Sequence, residues 1–147
     1  MYRMMIRGMI SGVVATAVLS LLMLSRKWIP QLNTVVVLDE IARVIFSKYN
    51  APIPLAGWMW HLVIGTIWWG GLFGIMEPIL PGRVVWLKGL LFGAGVGLYV
   101  IWAVLPIAAG GVFGAGVGLI QPVVTFTEHL IYGFVLGLIY GRLKVIN

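Results

Sequence analysis

Residues 87–105 read LKGLLFGAGVGLYVIWAVL and decide the fold class. The stretch is apolar on every face and as long as the ~20 residues that a helix needs to cross the hydrocarbon core of a bilayer. Its single charged residue, Lys88, lies at its start, and Gly89, Gly93 and Gly97 recur every four positions. A helix of a soluble protein would carry a polar face, so the stretch predicts a membrane span.

Three further apolar runs have the length of a span, at about Gly8–Leu24, Trp58–Met76 and Val123–Tyr140. With Leu87–Leu105 they predict an all-α integral membrane protein with four transmembrane helices in a single domain, residues 1–147. The first run follows basic residues as a signal peptide would. It continues too far past the small residues at 15–17 for ordinary cleavage, so we expect an uncleaved first span.

The composition of the chain excludes several other classes of protein. Of its 147 residues, 61% are hydrophobic and 10% are charged, and the mean hydropathy is +1.07. A soluble domain carries about a quarter charged residues. The chain has no cysteine, which excludes disulfides, thiolate catalysis and cysteine-ligated metals. Its basic residues are spread in pairs rather than clustered on one face, so nucleic-acid binding is not expected.

The basic residues predict the orientation of the chain, because cytoplasmic loops carry an excess of lysine and arginine. The termini and the second loop carry six of these residues, against four in the first loop and none in the third. Both termini are therefore expected in the cytoplasm. The six are Arg3, Arg7, Arg83, Lys88, Arg142 and Lys144, and the four are Arg26, Lys27, Arg43 and Lys48.

Two of the connecting loops carry patterns of their own. In the first outer loop, apolar residues at helical spacing predict a short amphipathic helix in the membrane interface, on which Asp39 and Arg43 could pair. The third loop, between Pro106 and Pro122, is glycine-rich, apolar and too short to span. We expect it to be an interfacial or re-entrant segment packed on protein. The apolar residues of the predicted helix are Leu38, Ile41, Ala42 and Ile45.

The chain reads as two related halves, at about 1–78 and 82–147. RGxxxG at 7–12 is matched by KGxxxG at 88–93, and HLVIG at 61–65 by HLIYG at 129–133. Each half would be a hairpin of span, connector and span, and the two hairpins would form a parallel repeat. Chance is the alternative interpretation, because glycine and leucine are common in membrane spans.

Small residues recur every four positions in the spans, and such ridges let helix backbones approach closely in lipid. We therefore expect the spans to pack tightly on one another. Gly70 and Gly74 are expected on a different face of the second span from Gly57 and Gly65. The ridges comprise Gly8, Gly12, Thr16 and Ser20, then Gly57 and Gly65, then Gly89, Gly93 and Gly97, and finally Gly133, Gly137 and Gly141.

His61, Glu128 and His129 have ionisable side chains and lie inside predicted spans. An ionisable group inside a span is costly to bury and is therefore a candidate functional residue. Three interpretations stay open. The histidines could hydrogen-bond a neighbouring helix, for example at Thr16 or Ser20. They could together bind a haem or a metal. They could, with Glu128, line a path for protons or a solute. Outside the spans, Glu77 is expected to be an interfacial carboxylate near Arg83.

The order of several motifs resembles a family of small bacterial four-span inner-membrane proteins of unknown function. The resemblance covers most of the chain, except for the connector at 33–47, and implies the architecture and the bacterial inner membrane but no activity. The shared pieces are GxxxGxxATxxxS at 8–20, LAGW at 55–58, HxxIG at 61–65, WG at 69–70, LPG at 80–82, GLLFG at 89–93, HLxYG at 129–133 and YG at 140–141.

Our leading functional hypothesis is a non-catalytic packing or accessory subunit of a bacterial membrane complex, with no cofactor. Its partners would be the lipid bilayer and other membrane subunits or further copies of the chain, because the spans are built to touch and no nucleophile–base pair or nucleotide-binding motif is present. One alternative is a small transporter or proton-conducting protein using His61, Glu128 and His129. Another is a haem- or metal-binding membrane protein.

Overall fold

The computed structural model describes residues 1–49 and 51–146. Its long helices are α1 (Tyr2–Arg26), α3 (Ile53–Met76), α4 (Val85–Ala108) and α5 (Gln121–Ile146), each long and apolar enough to cross a membrane. A shorter helix, α2 (Val35–Phe46), lies in the first loop. The four predicted spans are thus confirmed as apolar helices, which extend a few residues beyond the predicted ends, except that α3 ends at the predicted Met76. Short 3₁₀ turns occupy Pro30–Leu32, Ser47–Tyr49 and Val112–Val117.

The long helices form two antiparallel pairs, α1 with α3 and α4 with α5, and the pairs meet where α1 packs on α5. Glycines make the approach within each pair possible. A Cβ atom added to Gly12 would lie 3.1 Å from Cα of Gly70, and one added to Gly133 would lie 2.7 Å from Cα of Gly93. Such distances leave no room for a side chain. The small-residue ridges therefore form contacts between helices of the same chain.

A π-helical segment at Ile64–Trp69 interrupts α3 and corrects one expectation. Gly70 and Gly74 were predicted on a different face from Gly65. The wider π turn adds a residue, so all three glycines face α1. A Cβ on Gly12 would lie 3.0 Å from the carbonyl oxygen of Gly65, and one on Gly8 would lie 2.9 Å from the nitrogen of Gly74.

Aromatic rings fill the space between the two helix pairs. The ring of Phe73 on α3 lies 5.3 Å from those of Phe92 on α4 and Tyr140 on α5. The hydroxyl group of Tyr132 on α5 donates to the carbonyl oxygen of Gly65 on α3. All four of these side chains are buried. The half of the bundle nearer the chain termini therefore has a packed aromatic core.

Glu77 follows α3 and ties together three helix ends. Its carboxylate accepts hydrogen bonds from Lys88 on α4 at 3.2 Å and from Lys144 on α5 at 3.0 Å. The expected neighbour, Arg83, is not its partner. Burial by itself raises the pKa of Glu77, but the hydrogen bonds and charges of Lys144 and Lys88 outweigh that effect and hold the pKa below its usual value.

The two patterned loops both adopt local helical structure. Helix α2 packs its buried residues Val37, Leu38 and Ala42 toward α3 and the end of α4. Arg43 pairs with Glu40 at 3.7 Å rather than with Asp39. In the third loop, the ring of Phe113 stands edge-on to that of Trp102, with 4.8 Å between their centroids.

Candidate functional site

A cavity of about 450 Å³ lies in the half of the bundle away from the chain termini, and all four spans and α2 contribute to its wall. The wall is largely apolar and aromatic. Its aliphatic part comes mainly from α1, α2 and α4, and its aromatic part from α3, α4 and α5. The aromatic residues are Trp60, Trp68, Trp69, Tyr99 and Tyr132. Four of the five polar candidates named from the sequence line this cavity, namely Thr16, His61, Glu128 and His129.

His61 and His129 lie at matching depth in this wall. Each comes eight residues after the first residue of its helix, Ile53 for α3 and Gln121 for α5. Because a helix rises 1.5 Å per residue, both histidines lie about 12 Å along their helices from the first residue. The two helices run in the same direction, so the sequence match of the two HLxxG-type motifs becomes a spatial match.

His129 makes its hydrogen bond within its own helix, to the carbonyl oxygen of Thr125 at 2.8 Å through Nδ1. The expected bond to a neighbouring helix is therefore not made at this residue. A proton on Nδ1 that serves this bond leaves the Nε2 lone pair available. Histidines that bind metals are commonly held in this way, with the second nitrogen donating to a carbonyl group.

His61 is oriented by packing rather than by a hydrogen bond. The ring of Trp58 stands edge-on to its imidazole, with 5.8 Å between the ring centroids. Its Nε2 is buried, and among the described residues no group hydrogen-bonds to it. The same holds for the hydroxyl oxygen of Thr16, while Ser20 donates to the backbone oxygen of Thr16 at 2.8 Å instead. Two buried polar atoms of the cavity wall thus lack a protein partner.

Glu128 lines the cavity near the start of α5 and belongs to a polar cluster that the sequence analysis missed. Arg26, at the end of α1, forms a salt bridge with its carboxylate, and the hydroxyl group of Thr34 donates to the same oxygen at 2.8 Å. Sequence reasoning assigned Arg26 only to the count of loop charges. The available signal was that a carboxylate inside a span requires a partner.

The helices that form the cavity wall are irregular where they border it. The π-helical part of α3, Ile64–Trp69, contributes four wall residues, and a second π-helical segment, Val100–Val104 of α4, contributes two. Such segments are frequent at functional sites because they widen the helix locally. Two wall residues here are exposed, Trp68 in the first segment (62%) and Tyr99 directly before the second (53%). The wall of the cavity therefore reaches the outer surface of the bundle at α3 and α4.

The donor set of the cavity limits the chemistry it can support. In the described part of the chain, no three histidine or acidic side chains converge as metal ligands. The charge of Glu128 is offset by Arg26, and no lysine or arginine lines the wall. The uncharged polar groups of the wall are two imidazoles, the hydroxyl groups of its threonines and tyrosines and the indole N–H groups of its tryptophans, in largely apolar surroundings. Such a site can hydrogen-bond, or ligate through nitrogen, a molecule without net charge.

Comparisons with known proteins give a family but no activity. No curated protein and no solved structure matched the chain. The model of one family, described as a family of unknown function (DUF6789), matches residues 2–147. This match agrees with the resemblance to a family of unknown function that the motifs indicated. Because the match covers nearly the whole chain, the protein belongs to the DUF6789 family.

Proposed function

We propose that this protein binds a small, neutral and mostly apolar molecule with a hydrogen-bonding head group, inside the bilayer, in the cavity between its four spans. The observation that carries the proposal is that His61, whose buried Nε2 has no hydrogen-bond partner in the described structure, lines the cavity together with His129. An unsatisfied buried polar atom costs about 1–3 kcal/mol. A ligand that bonds to it would recover that free energy.

The size and lining of the cavity support this class of ligand. Its volume of about 450 Å³ falls within the ~300–1,000 Å³ usual for small-molecule sites. Tryptophan and tyrosine rings offer flat apolar faces to a ring or chain. Because no cation lines the wall, an anionic head group would lack a counter-charge there. We infer an opening at Trp68 and Tyr99, where the wall reaches the outer surface. Such an opening suits a molecule that arrives through the hydrocarbon.

A haem or metal carrier is the second candidate function, favoured by the hydrogen bond that holds His129 through Nδ1. This arrangement keeps Nε2 as a possible axial ligand. A haem needs only one or two such nitrogens, so the lack of a three-residue metal cluster among the described residues does not bear on it. The two candidates differ in the absorption spectrum of the bound molecule.

We expect the protein, extracted from its native membrane in mild detergent, to carry a bound small molecule that His61→Ala and His129→Ala each deplete about tenfold. The reason is the loss of roughly one buried hydrogen bond or ligand bond, since ~1.4 kcal/mol corresponds to a factor of ten. Solvent extraction followed by mass spectrometry measures the bound amount, and the visible absorption spectrum of the same sample detects a haem.

Met59→Ala is the matched control, because Met59 lies on the same helix as His61 but is 58% exposed and outside the cavity wall. It should leave the bound amount unchanged. A preparation that contains no small molecule, or one whose content is the same in all three variants, would rule out the proposed site.

The roles expected from the sequence stay proposals beside this one. An accessory subunit would need a surface for its partners, and the glycine ridges are engaged within the chain. In the membrane-spanning part of α3, only 28% of the residues are buried, and this exposed helix surface favours such a role. The mass of the detergent-extracted particle tests it. A proton path would require Glu128 to leave Arg26, with which it is paired.

We also propose that the chain lies in a bacterial inner membrane with both termini in the cytoplasm, and that its two hairpins arose by duplication. The excess of basic residues at the end that holds the termini supports the orientation. On this orientation, α2 and the glycine-rich loop lie together at the opposite, outer surface. The matched motifs at 61–65 and 129–133 support the duplication.

The orientation predicts which positions a membrane-impermeant maleimide reaches in intact spheroplasts. The chain has no cysteine, so the maleimide signal of a variant comes from the single cysteine that was introduced. Lys27→Cys, at the end of α1, should be labelled, whereas Val145→Cys, which is 88% exposed near the end of α5, should be labelled only after lysis. The reverse pattern would mean that the termini face outward.

A further inference from the structure

A groove of about 640 Å³ lies on the outside of the bundle, where α4 begins and α5 ends. Two arginines, Arg83 and Arg142, border it. Its floor is apolar and includes Val85, Leu138 and the indole ring of Trp86. We propose that this groove binds an anionic phospholipid, with the phosphate group on the two arginines and an acyl chain on the floor.

The charges at this end of the bundle leave both arginines available. The chain has four acidic residues in all, and Asp39, Glu40 and Glu128 lie at the opposite end. The fourth, Glu77, accepts bonds from Lys88 and Lys144. Among the described residues, neither groove arginine forms a salt bridge. A ligand phosphate would supply the missing negative charge, and a guanidinium group can bind it through two parallel hydrogen bonds.

The level of the groove in the membrane and its apolar floor favour a lipid over a soluble anion as the ligand. Arg83 precedes the first residue of α4, and Arg142 lies in the last turns of α5, so both reach the level at which head groups lie. Trp86, 43% exposed, belongs to the residue type enriched at that level. Free phosphate has no apolar part that could contact the apolar floor. Basic pockets between spans on the cytoplasmic side commonly hold anionic lipid head groups.

Native mass spectrometry of the full chain, transferred from nanodiscs of equal parts phosphatidylglycerol and phosphatidylcholine, tests the proposal. The wild-type protein should retain phosphatidylglycerol in preference. The double variant Arg83→Gln/Arg142→Gln should reduce that retention about tenfold or more, since two charge-assisted hydrogen-bonding groups are lost. The matched control Arg3→Gln/Lys27→Gln removes the same charge from exposed positions outside the groove and should retain the lipid.

Three outcomes would overturn the proposal. One is equal retention of the two lipids by the wild-type protein. Another is retention that both double variants reduce alike, which would indicate general charge attraction. The third is displacement of the lipid by millimolar inorganic phosphate, which would make the groove a site for a free anion. An unchanged melting temperature of the groove variant shows that it is folded, and binding at the histidine cavity is measured independently.

Discussion

Replacing Gly93 by leucine should force α4 away from α5 and destabilise the protein by about 3 kcal/mol or more, the upper range for overpacking a tight interface. A Cβ atom at Gly93 would lie 2.9 Å from Cα of Gly133 and 3.1 Å from its nitrogen. Both are backbone atoms, so no rotamer change can relieve the clash. In lipid, close packing of this kind is itself a main source of helix association. The melting temperature in detergent and the yield of folded protein measure the effect.

Gly95→Leu is the matched control, with the same substitution two residues away on the same helix. A Cβ atom at Gly95 would have nothing within 4 Å. The variant should melt close to the wild-type temperature, because leucine also favours a helix more than glycine does. If the two variants lose stability equally, the effect comes from the helix itself and not from the contact between α4 and α5.

Glu77→Gln should destabilise the protein by about 3 kcal/mol, because breaking a buried ion pair leaves a charge without its partner. The uncompensated charge is that of Lys88, whose side chain is only 13% exposed. Lys144, at 50% exposure, can turn to water and should contribute little. Glu40→Gln removes the exposed pair with Arg43 and serves as the control, with an expected loss of ~0–1 kcal/mol. Unfolding in a denaturing detergent compares the two.

The same carboxylate should make the stability of the wild-type protein depend on acid pH. The pKa of Glu77 is lower in the folded protein than its ordinary value of 4.5. Its contribution is therefore fully present above that ordinary value and is lost as the pH falls through the lower, folded-state pKa. Unfolding measured from neutral pH downward should show this loss in the wild-type protein and a smaller dependence in Glu77→Gln. Parallel curves for both proteins would contradict the assignment.

The spans could be predicted from the sequence because lipid imposes a length and a composition that few soluble segments satisfy. The glycine ridges were likewise readable from their spacing of four. The common face of Gly65, Gly70 and Gly74 was not, because that reasoning assumed 3.6 residues per turn throughout α3. The π-helical segment breaks this period, and the residue types in Ile64–Trp69 do not predict such a segment.

The candidate site was predictable in its residues and not in its contacts. His61 and His129 lie three and six residues after the predicted span starts, Trp58 and Val123, so only a similar depth could be predicted. The equal distance of eight residues became visible with the helix starts of the structure. The partners of Glu77 and Glu128 could not be placed, since they depend on how separate helices meet. Lys88 lies inside an apolar run and Arg26 at the end of one, and both positions favour an internal partner. Because both residues were counted only as loop charges, their pairing with a carboxylate was not predicted.

The inferred opening at Trp68 and Tyr99 determines from which phase, lipid or water, a ligand would enter the cavity. A lipophilic molecule partitions into the bilayer before it meets the protein, so its local concentration there greatly exceeds its concentration in water. Occupancy follows the concentration at the entrance. A site of modest intrinsic affinity would thus stay filled, and release would return the molecule to the same leaflet without exposing it to water.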